Sequence, residues 1–212
     1  MTEQNRRRTD KQIDINGQKM ADRRHIDRET GMHVIKLFSG DCFVTNQANH
    51  MLVTILGSCV SACIRDPIAK VGGMNHFLLP DIHDSKNLGA DEATRYGAFA
   101  MERLINEILK FGGLKTRLEV KVFGGGNVIA SSALIGSKNV RFVKDFLSRE
   151  GLRIIGEDLG GDYPRRIHYY PDTGKVMMRN LRRKEDMNIV EEEKRYASSL
   201  YQQPVEGDID LF

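Results

Sequence analysis

The sequence predicts an α+β fold in which β-sheets are covered on the outside by α-helices. Three observations support this prediction. Many short segments show the continuous apolar runs or the alternating pattern of β-strands. Two longer segments repeat their apolar residues at the three- and four-residue steps of amphipathic helices. Hydrophobic residues make up 40% of the 212 residues, which is enough for a substantial core.

The first half of the folded part is predicted to consist of strands. Five segments are rich in apolar and β-branched residues and are separated by turn signals; they are residues 33–38, 42–45, 51–56, 59–64 and 74–79. The third is β-branched and apolar, which is typical of a strand covered on both faces. Asp66 and Pro67 occupy favourable turn positions between the last two strands, which are therefore expected to lie side by side.

The second half is predicted to contain two helices and four strands. Residues 91–111 form an amphipathic helix that Gly112 and Gly113 terminate, and residues 139–149 form another. The strand-like segments are residues 118–123, 152–155, 167–170 and 175–179. The last two are joined by a Pro-Asp-Thr-Gly turn and are expected to form a hairpin.

Charge divides the chain into three parts. Residues 1–31 are charged and lack apolar periodicity, so they are expected to be a disordered extension without the apolar core of a signal peptide. Residues 32–181 are expected to form the domain, and residues 182–212 a charged tail. The longest apolar-leaning stretch is shorter than the roughly 20 residues that span a bilayer, so no membrane insertion is expected.

Charge and cysteine content exclude further classes of protein. The net charge of +3 is too small to indicate nucleic-acid binding by itself. Three cysteines cannot all pair, which argues against a secreted disulfide-rich fold. A reducing cytoplasm is the expected location.

A cysteine and a histidine mark the two strands that are expected to be neighbours. Cys59 follows Gly57 and Ser58, and His76 lies 17 positions later in the next strand. A thiol becomes a useful nucleophile at neutral pH when a neighbouring group takes its proton, and histidine is the usual partner. We therefore expect an exposed Cys59 thiol as nucleophile and His76 as its general base.

Nearby residues have simpler structural interpretations. Cys63 would lie about 13 Å from Cys59 along a strand, which argues against a shared zinc site and favours a core position. We assign no role to Cys42. The turn Gly124-Gly125-Gly126-Asn127 lacks the Lys-Ser/Thr pair of a phosphate-binding loop. We interpret it as a tight turn near the active site, with Asn127 as a candidate polar contact.

Four short motifs, in order along the chain, carry a family resemblance. They are Leu56-Gly57-Ser58-Cys59-Val60, Arg65-Asp66-Pro67, Gly72-Gly73-Met74-Asn75-His76-Phe77-Leu78-Leu79-Pro80 and Phe123-Gly124-Gly125-Gly126-Asn127. Together they resemble the chemoreceptor glutamine deamidase family, CheD, over roughly residues 34–181. The resemblance implies packed, mixed β-sheets flanked by two to three α-helices, with a distant architectural kinship to the deamidase domain of cytotoxic necrotizing factor toxins.

The resemblance also implies an activity and the residues that perform it. The implied enzyme is a protein-glutamine glutaminase that converts glutamine side chains of methyl-accepting chemoreceptors to glutamate and ammonia, without a metal or cofactor. Cys59 matches the family nucleophile and His76 the general base. The family also uses a threonine upstream of the cysteine. Thr54 is the candidate here, although the family spacing corresponds to Val53.

Backbone N–H groups near Gly57 and Ser58 are the expected donors to the reacting oxygen, since glycine lets the chain present them. The expected partners are the cytoplasmic domains of chemoreceptors and, as a second candidate, a chemotaxis phosphatase. Three alternatives remain open: a non-catalytic adaptor that binds receptors or the phosphatase, a cysteine peptidase or transglutaminase, and a zinc-binding module.

Overall fold

A computed structural model of the chain describes residues 24–79, 90–128 and 133–181. The strands within these residues are β1 (Arg24–Ile26), β2 (His33–Lys36), β3 (Cys42–Thr45), β4 (His50–Leu56), β5 (Val60–Asp66), β6 (Val71–Asn75), β7 (Glu119–Gly124), β8 (Ile154–Leu159), β9 (Arg165–Tyr170) and β10 (Lys175–Asn180). The helices are α1 (Ala90–Lys110), α2 (Ala133–Arg149) and a short 3-10 helix (Lys115–Arg117). Neither α-helix in this part of the chain is long and apolar enough to cross a membrane.

The strands form two mixed sheets of five strands each. The first sheet has the order β1-β2-β4-β9-β10, with β2 and β4 parallel and the other neighbours antiparallel. The second has the order β3-β6-β5-β7-β8, with only β7 and β8 parallel. The predicted α+β fold with packed, mixed sheets is confirmed.

The two sheets and the helices stack in three layers. This arrangement follows from β5, whose alternate residues belong to two different apolar clusters. Cys63 belongs to an apolar cluster that includes Leu52 and Ile167 of the first sheet. Ala62 and Ile64 belong to a second cluster that contains residues of both α-helices. The second sheet is therefore the middle layer, buried between the first sheet and the helices.

Several element boundaries differ from the sequence prediction. β6 begins at Val71 and includes the glycine pair before Met74. Glycine is needed at position 73, because β3 approaches so closely that a Cβ there would lie 2.5 Å from the Phe43 carbonyl oxygen. α2 begins at Ala133, six residues earlier than predicted. The prediction of disorder is wrong for residues 24–26, which form β1 and pair with β2. Residues 1–23 and 182–212 of the predicted extension and tail lie outside the described residues.

The predicted turn between β5 and β6 is confirmed, and a buried carboxylate holds it. Oδ1 of Asp66 accepts hydrogen bonds from the backbone N–H groups of Ile68 (2.9 Å) and Ala69 (3.0 Å). Oδ2 accepts from the Leu114 N–H at 2.8 Å and from Arg117, whose Nη2 lies 2.6 Å away. Burial raises the pKa of Asp66, but these hydrogen bonds outweigh it and lower the pKa to about 2.

Replacing Asp66 with alanine is expected to lower the free energy of unfolding by about 3 kcal/mol, because several donors lose their acceptor. Urea denaturation of both proteins measures this difference. Glu150→Ala is the control, since it removes only the exposed ion pair with Lys115 and is expected to cost less than about 1 kcal/mol. Equal losses in the two variants would contradict this account of the turn.

Candidate active site

The segments that carry Cys59 and His76 lie side by side. The Val60 N–H donates to the Phe77 carbonyl, and the Phe77 N–H to the Val60 carbonyl, both at 2.9 Å. This bridge continues the antiparallel register in which Cys63 pairs with Met74. The predicted adjacency of the two segments is confirmed, with each candidate residue next to a member of the bridge.

The glycine-rich turn packs directly against the Cys59 segment. The Gly125 N–H donates to the Cys59 carbonyl and the Gly126 N–H to the Gly57 carbonyl, both at 2.7 Å. A side chain at Gly124, whose φ is 109°, would collide with the Cys59 carbonyl oxygen. The turn therefore fixes the backbone on both sides of Ser58. The side chain of Asn127 is exposed, and its backbone N–H donates to the Gly161 carbonyl.

His76 is held by a residue of the opposite sheet. Its Nδ1 lies 2.7 Å from Oγ1 of Thr54 on β4. The same hydroxyl lies 2.8 Å from the Leu37 carbonyl oxygen and donates to it. Because a hydroxyl has one proton to donate, Oγ1 accepts from Nδ1–H of His76. This arrangement fixes the tautomer in which Nε2 carries the free lone pair.

The His76 imidazole is neutral at pH 7. Burial lowers its pKa from 6.5 to about 4, against a smaller opposing effect of the Leu37 carbonyl. Among the described residues, Nε2 is buried and has no hydrogen-bond partner. The Sγ–Nε2 hydrogen bond is therefore absent in this state, as is common for catalytic hydrogen bonds without substrate. The ring is a base whose accepting nitrogen is unoccupied.

The expectation of an exposed Cys59 thiol is wrong for this structure. Cys59 is 0% exposed and belongs to the apolar cluster between the sheets. Cys59 directly precedes β5, as the sequence indicates, but residues of the first sheet pack over its side chain and the glycine-rich turn packs on its carbonyl. Oγ of Ser39 lies 3.7 Å from Sγ, and Ser39 is partly exposed. Ser39 is therefore a partly exposed residue in contact with the buried thiol.

The loop that carries Ser39 is attached to the backbone of His76. The Gly40 N–H donates to the His76 carbonyl at 2.7 Å, and the His76 N–H donates to the Asp41 carbonyl at 2.9 Å. Gly40 and Asp41 also line a cleft that reaches His76 from the side of α1. One short loop thus contacts both the thiol and the segment that carries the candidate base.

Comparison with known proteins decides the family. A family model described as CheD chemotactic sensory transduction matches residues 78–180. A protein of Rhodopseudomonas palustris named "Probable chemoreceptor glutamine deamidase CheD" is 51% identical over 190 residues, which cover 90% of this chain and 89% of that protein. The chain belongs to the CheD family. Relatives of the same name from Saccharophagus degradans and Halorhodospira halophila are 46% and 45% identical, with 89% of each chain covered.

Similarity to solved structures is weaker. Neisseria meningitidis protein NMB0706, described as family-model DUF152, is 10% identical and has a TM-score of 0.38 over 64% of this chain and 65% of that one. The hypothetical protein YfiH of Bacillus licheniformis is 14% identical, with a TM-score of 0.37 over 56% of this chain and 50% of that one. Neither similarity carries an argument about the CheD site.

Three of the four motifs are in contact in the region of Cys59 and His76. The motif at Cys59 and the motif at His76 are joined by the backbone bridge, and the glycine-rich motif packs on the first of them. Thr54, the candidate third residue, contacts His76 directly, which favours it over Val53 for that position. Ser39 carried no recognisable signal in the sequence, because its contact with the thiol spans twenty residues of chain.

The other two cysteines of this CheD chain lie near the site, since Cys42 lines the same cleft as His76 and Cys63 shares the apolar cluster of Cys59. Cys63 on β5 and Cys42 on β3 are free and buried. Burial raises the pKa of both thiols, that of Cys42 to about 12. Within the described residues, no group of three or more His, Cys, Asp or Glu side chains is arranged to hold a metal ion.

Cys59 is expected to react slowly with iodoacetamide in the folded protein and several times faster in Ser39→Gly, because that variant removes a partly exposed side chain that contacts the thiol. Peptide mass mapping after timed alkylation follows each cysteine separately. Ser39→Thr keeps the hydroxyl and is expected to react as slowly as the native protein. Rapid native labelling of Cys59, or no acceleration in Ser39→Gly, would show that Ser39 does not cover the thiol.

Proposed function

We propose that this chain is a protein-glutamine glutaminase that hydrolyses glutamine side-chain amides on methyl-accepting chemoreceptors. The names of its relatives support the substrate, since they are chemoreceptor glutamine deamidases at 45–51% identity over most of the chain. The observation that carries the chemistry is the Thr54–His76 hydrogen bond, which leaves a neutral imidazole with an unpartnered Nε2 beside the Cys59 segment. The proposed location is the cytoplasm.

The first half-reaction is acyl transfer to sulfur. Nε2 of His76 takes the Sγ proton of Cys59, and the thiolate attacks the carboxamide carbon of the glutamine. The tetrahedral intermediate collapses when His76 returns the proton to the departing nitrogen, so that ammonia leaves and a thioester remains. Thr54 keeps the imidazole in the required tautomer throughout.

The second half-reaction is hydrolysis of that thioester. His76 removes a proton from water, the resulting hydroxide adds to the thioester carbon, and the Cys59 sulfur leaves and regains its proton. Glutamate and free enzyme result, and no cofactor or metal is needed. Backbone N–H groups near Gly57 and Ser58 are the proposed donors to the oxygen that becomes negative in both tetrahedral intermediates, and Asn127 is a proposed contact for the substrate.

The mechanism also requires the substrate to reach the buried Cys59 thiol. Because Cys59 is fully buried, the loop that carries Ser39 moves when a receptor helix presents its glutamine. A protein substrate brings a large binding surface, whose interaction energy offsets the cost of that movement.

The test uses a purified receptor cytoplasmic fragment incubated with this protein. We expect receptor peptides whose glutamines have become glutamates, detected by mass spectrometry, and an equal amount of released ammonia. Cys63→Ala is the matched control, because it removes a buried thiol from the same apolar cluster and is expected to stay active. An intact receptor after incubation with folded native protein would refute the proposed activity.

A non-catalytic adaptor is the second candidate, and the burial of Cys59 favours it. In that case the chain binds receptor fragments, or a chemotaxis phosphatase, through its surface alone. Binding without deamidation by the native protein would identify an adaptor. Deamidation that is lost in the Cys59→Ala variant while receptor binding persists would identify the enzyme.

A further inference from the structure

Three successive carbonyl groups around the nucleophile are each held by a different donor. The carbonyls of Gly57 and Cys59 accept from backbone N–H groups of the glycine-rich turn at 2.7 Å. The Ser58 carbonyl between them accepts from a side chain, Nδ2 of Asn139 on α2, at 2.8 Å. Asn139 is 0% exposed, so this contact is shielded from water.

The second amide atom of Asn139 binds the segment that follows the histidine. Its Oδ1 accepts the Leu79 N–H at 2.9 Å. Ser58 directly precedes Cys59, and Leu79 lies three residues after His76. One buried side chain therefore connects the nucleophile segment to the base segment beyond the Val60–Phe77 bridge.

The Ser58 carbonyl controls a group that lies next to the reacting sulfur. A trans peptide is planar, and its C=O and N–H point in opposite directions. A donor on the Ser58 carbonyl therefore sets the direction of the Cys59 N–H, which we add to the proposed donors near Gly57 and Ser58. A hydrogen bond to the carbonyl also polarises the peptide and strengthens its N–H as a donor.

The helix that carries Asn139 is itself fixed against the site. A Cβ at Gly136, one turn earlier, would lie 2.7 Å from the Gly125 carbonyl oxygen, so α2 packs directly on the glycine-rich turn. Val143, one turn later, is fully buried in the core between the second sheet and the helices. The amide is thus presented from a rigid element.

We infer that Asn139 is a positioning residue for the deamidation. Its two hydrogen bonds set the orientation of the Ser58–Cys59 peptide and the distance of that peptide from the His76 segment. The inference rests on the proposed function. An amide is suited to the role because it supplies one donor and one acceptor without charge. The residue acts through the backbone and does not contact the substrate.

The first test compares Asn139→Ala with Val143→Ala, which weakens the packing of the same helix without touching the Ser58 carbonyl. Both are assayed on a receptor fragment at a temperature where circular dichroism shows them folded. Asn139→Ala is expected to lower kcat by about tenfold to a hundredfold with little change in KM. Val143→Ala is expected to keep kcat within about twofold of the native value, even if its Tm falls as far as that of Asn139→Ala.

The second test uses Asn139→Asp, whose carboxyl can donate to the Ser58 carbonyl only when it is protonated. The ratio of its kcat to the native kcat is expected to rise as the pH falls. A ratio independent of pH, or equal kcat values for Asn139→Ala and Val143→Ala, would overturn the inference while leaving the proposed function intact. An inactive native protein would overturn both.

Discussion

Replacing Cys59 with alanine is expected to abolish ammonia release from receptor glutamines, with a loss of at least about a thousandfold in kcat. Without sulfur there is no thioester, and direct attack by water on an unactivated amide is far slower. The substitution removes one buried atom from a large apolar cluster, so its cost in stability is expected to be only about 1–2 kcal/mol.

The Cys63→Ala control separates chemistry from packing. Both cysteines are buried in the cluster between the sheets, and alanine removes the same atom from each. Comparable melting temperatures with activity lost only in Cys59→Ala are the expected pair of results. Turnover that survives in Cys59→Ala, or disappears equally in both variants, is incompatible with a Cys59 nucleophile.

Replacing His76 with glutamine is expected to lower kcat by about a thousandfold and to remove part of the pH dependence of stability. The folded pKa of His76 is about 4, below its ordinary value of 6.5, so the unfolded chain binds the proton more readily. The contribution of His76 to the free energy of unfolding therefore increases from pH 4 to 6.5 and is constant above that range. The contribution of His76 is on the order of 2 kcal/mol between pH 7.5 and 4.5.

Urea denaturation at these two pH values measures the effect in both proteins. His50 also has a pKa lowered to about 4 by burial, but it is present in both proteins and cancels in the comparison. An unchanged pH dependence in His76→Gln would mean that His76 is not buried in its neutral form. In the native enzyme, activity should persist well below pH 6.5, since the base is already deprotonated there.

The fold and the adjacency of the Cys59 and His76 segments were predictable because their signals are local. Apolar runs marked β4, β5 and β7, and the Asp66-Pro67 turn brought the two candidate segments together. The position of Thr54 opposite His76 depends instead on how one sheet stacks on the other. That arrangement follows from packing over the whole domain, so sequence spacing left Thr54 and Val53 as alternatives.

Burial of the thiol and the contacts of Asn139 were missed for a related reason. The residues that contact the Cys59 thiol and the Ser58 carbonyl come from distant parts of the chain, Ser39 and α2. Gly136 and Ser137 are weak helix formers, so α2 was predicted to begin too late. Gly136 is nevertheless needed there, because α2 packs closely on the Gly125 carbonyl. An asparagine on the apolar face that includes Val143 was the available signal.

The proposed mechanism requires Cys59 to carry the acyl group of the substrate glutamine. Rapid acid quenching of a single turnover, followed by peptide mass mapping, tests it most directly. We predict a receptor peptide attached to the Cys59 peptide, with the mass of the two minus one ammonia. Deamidated receptor that accumulates without any such adduct, and equally in Cys59→Ala, would contradict the account.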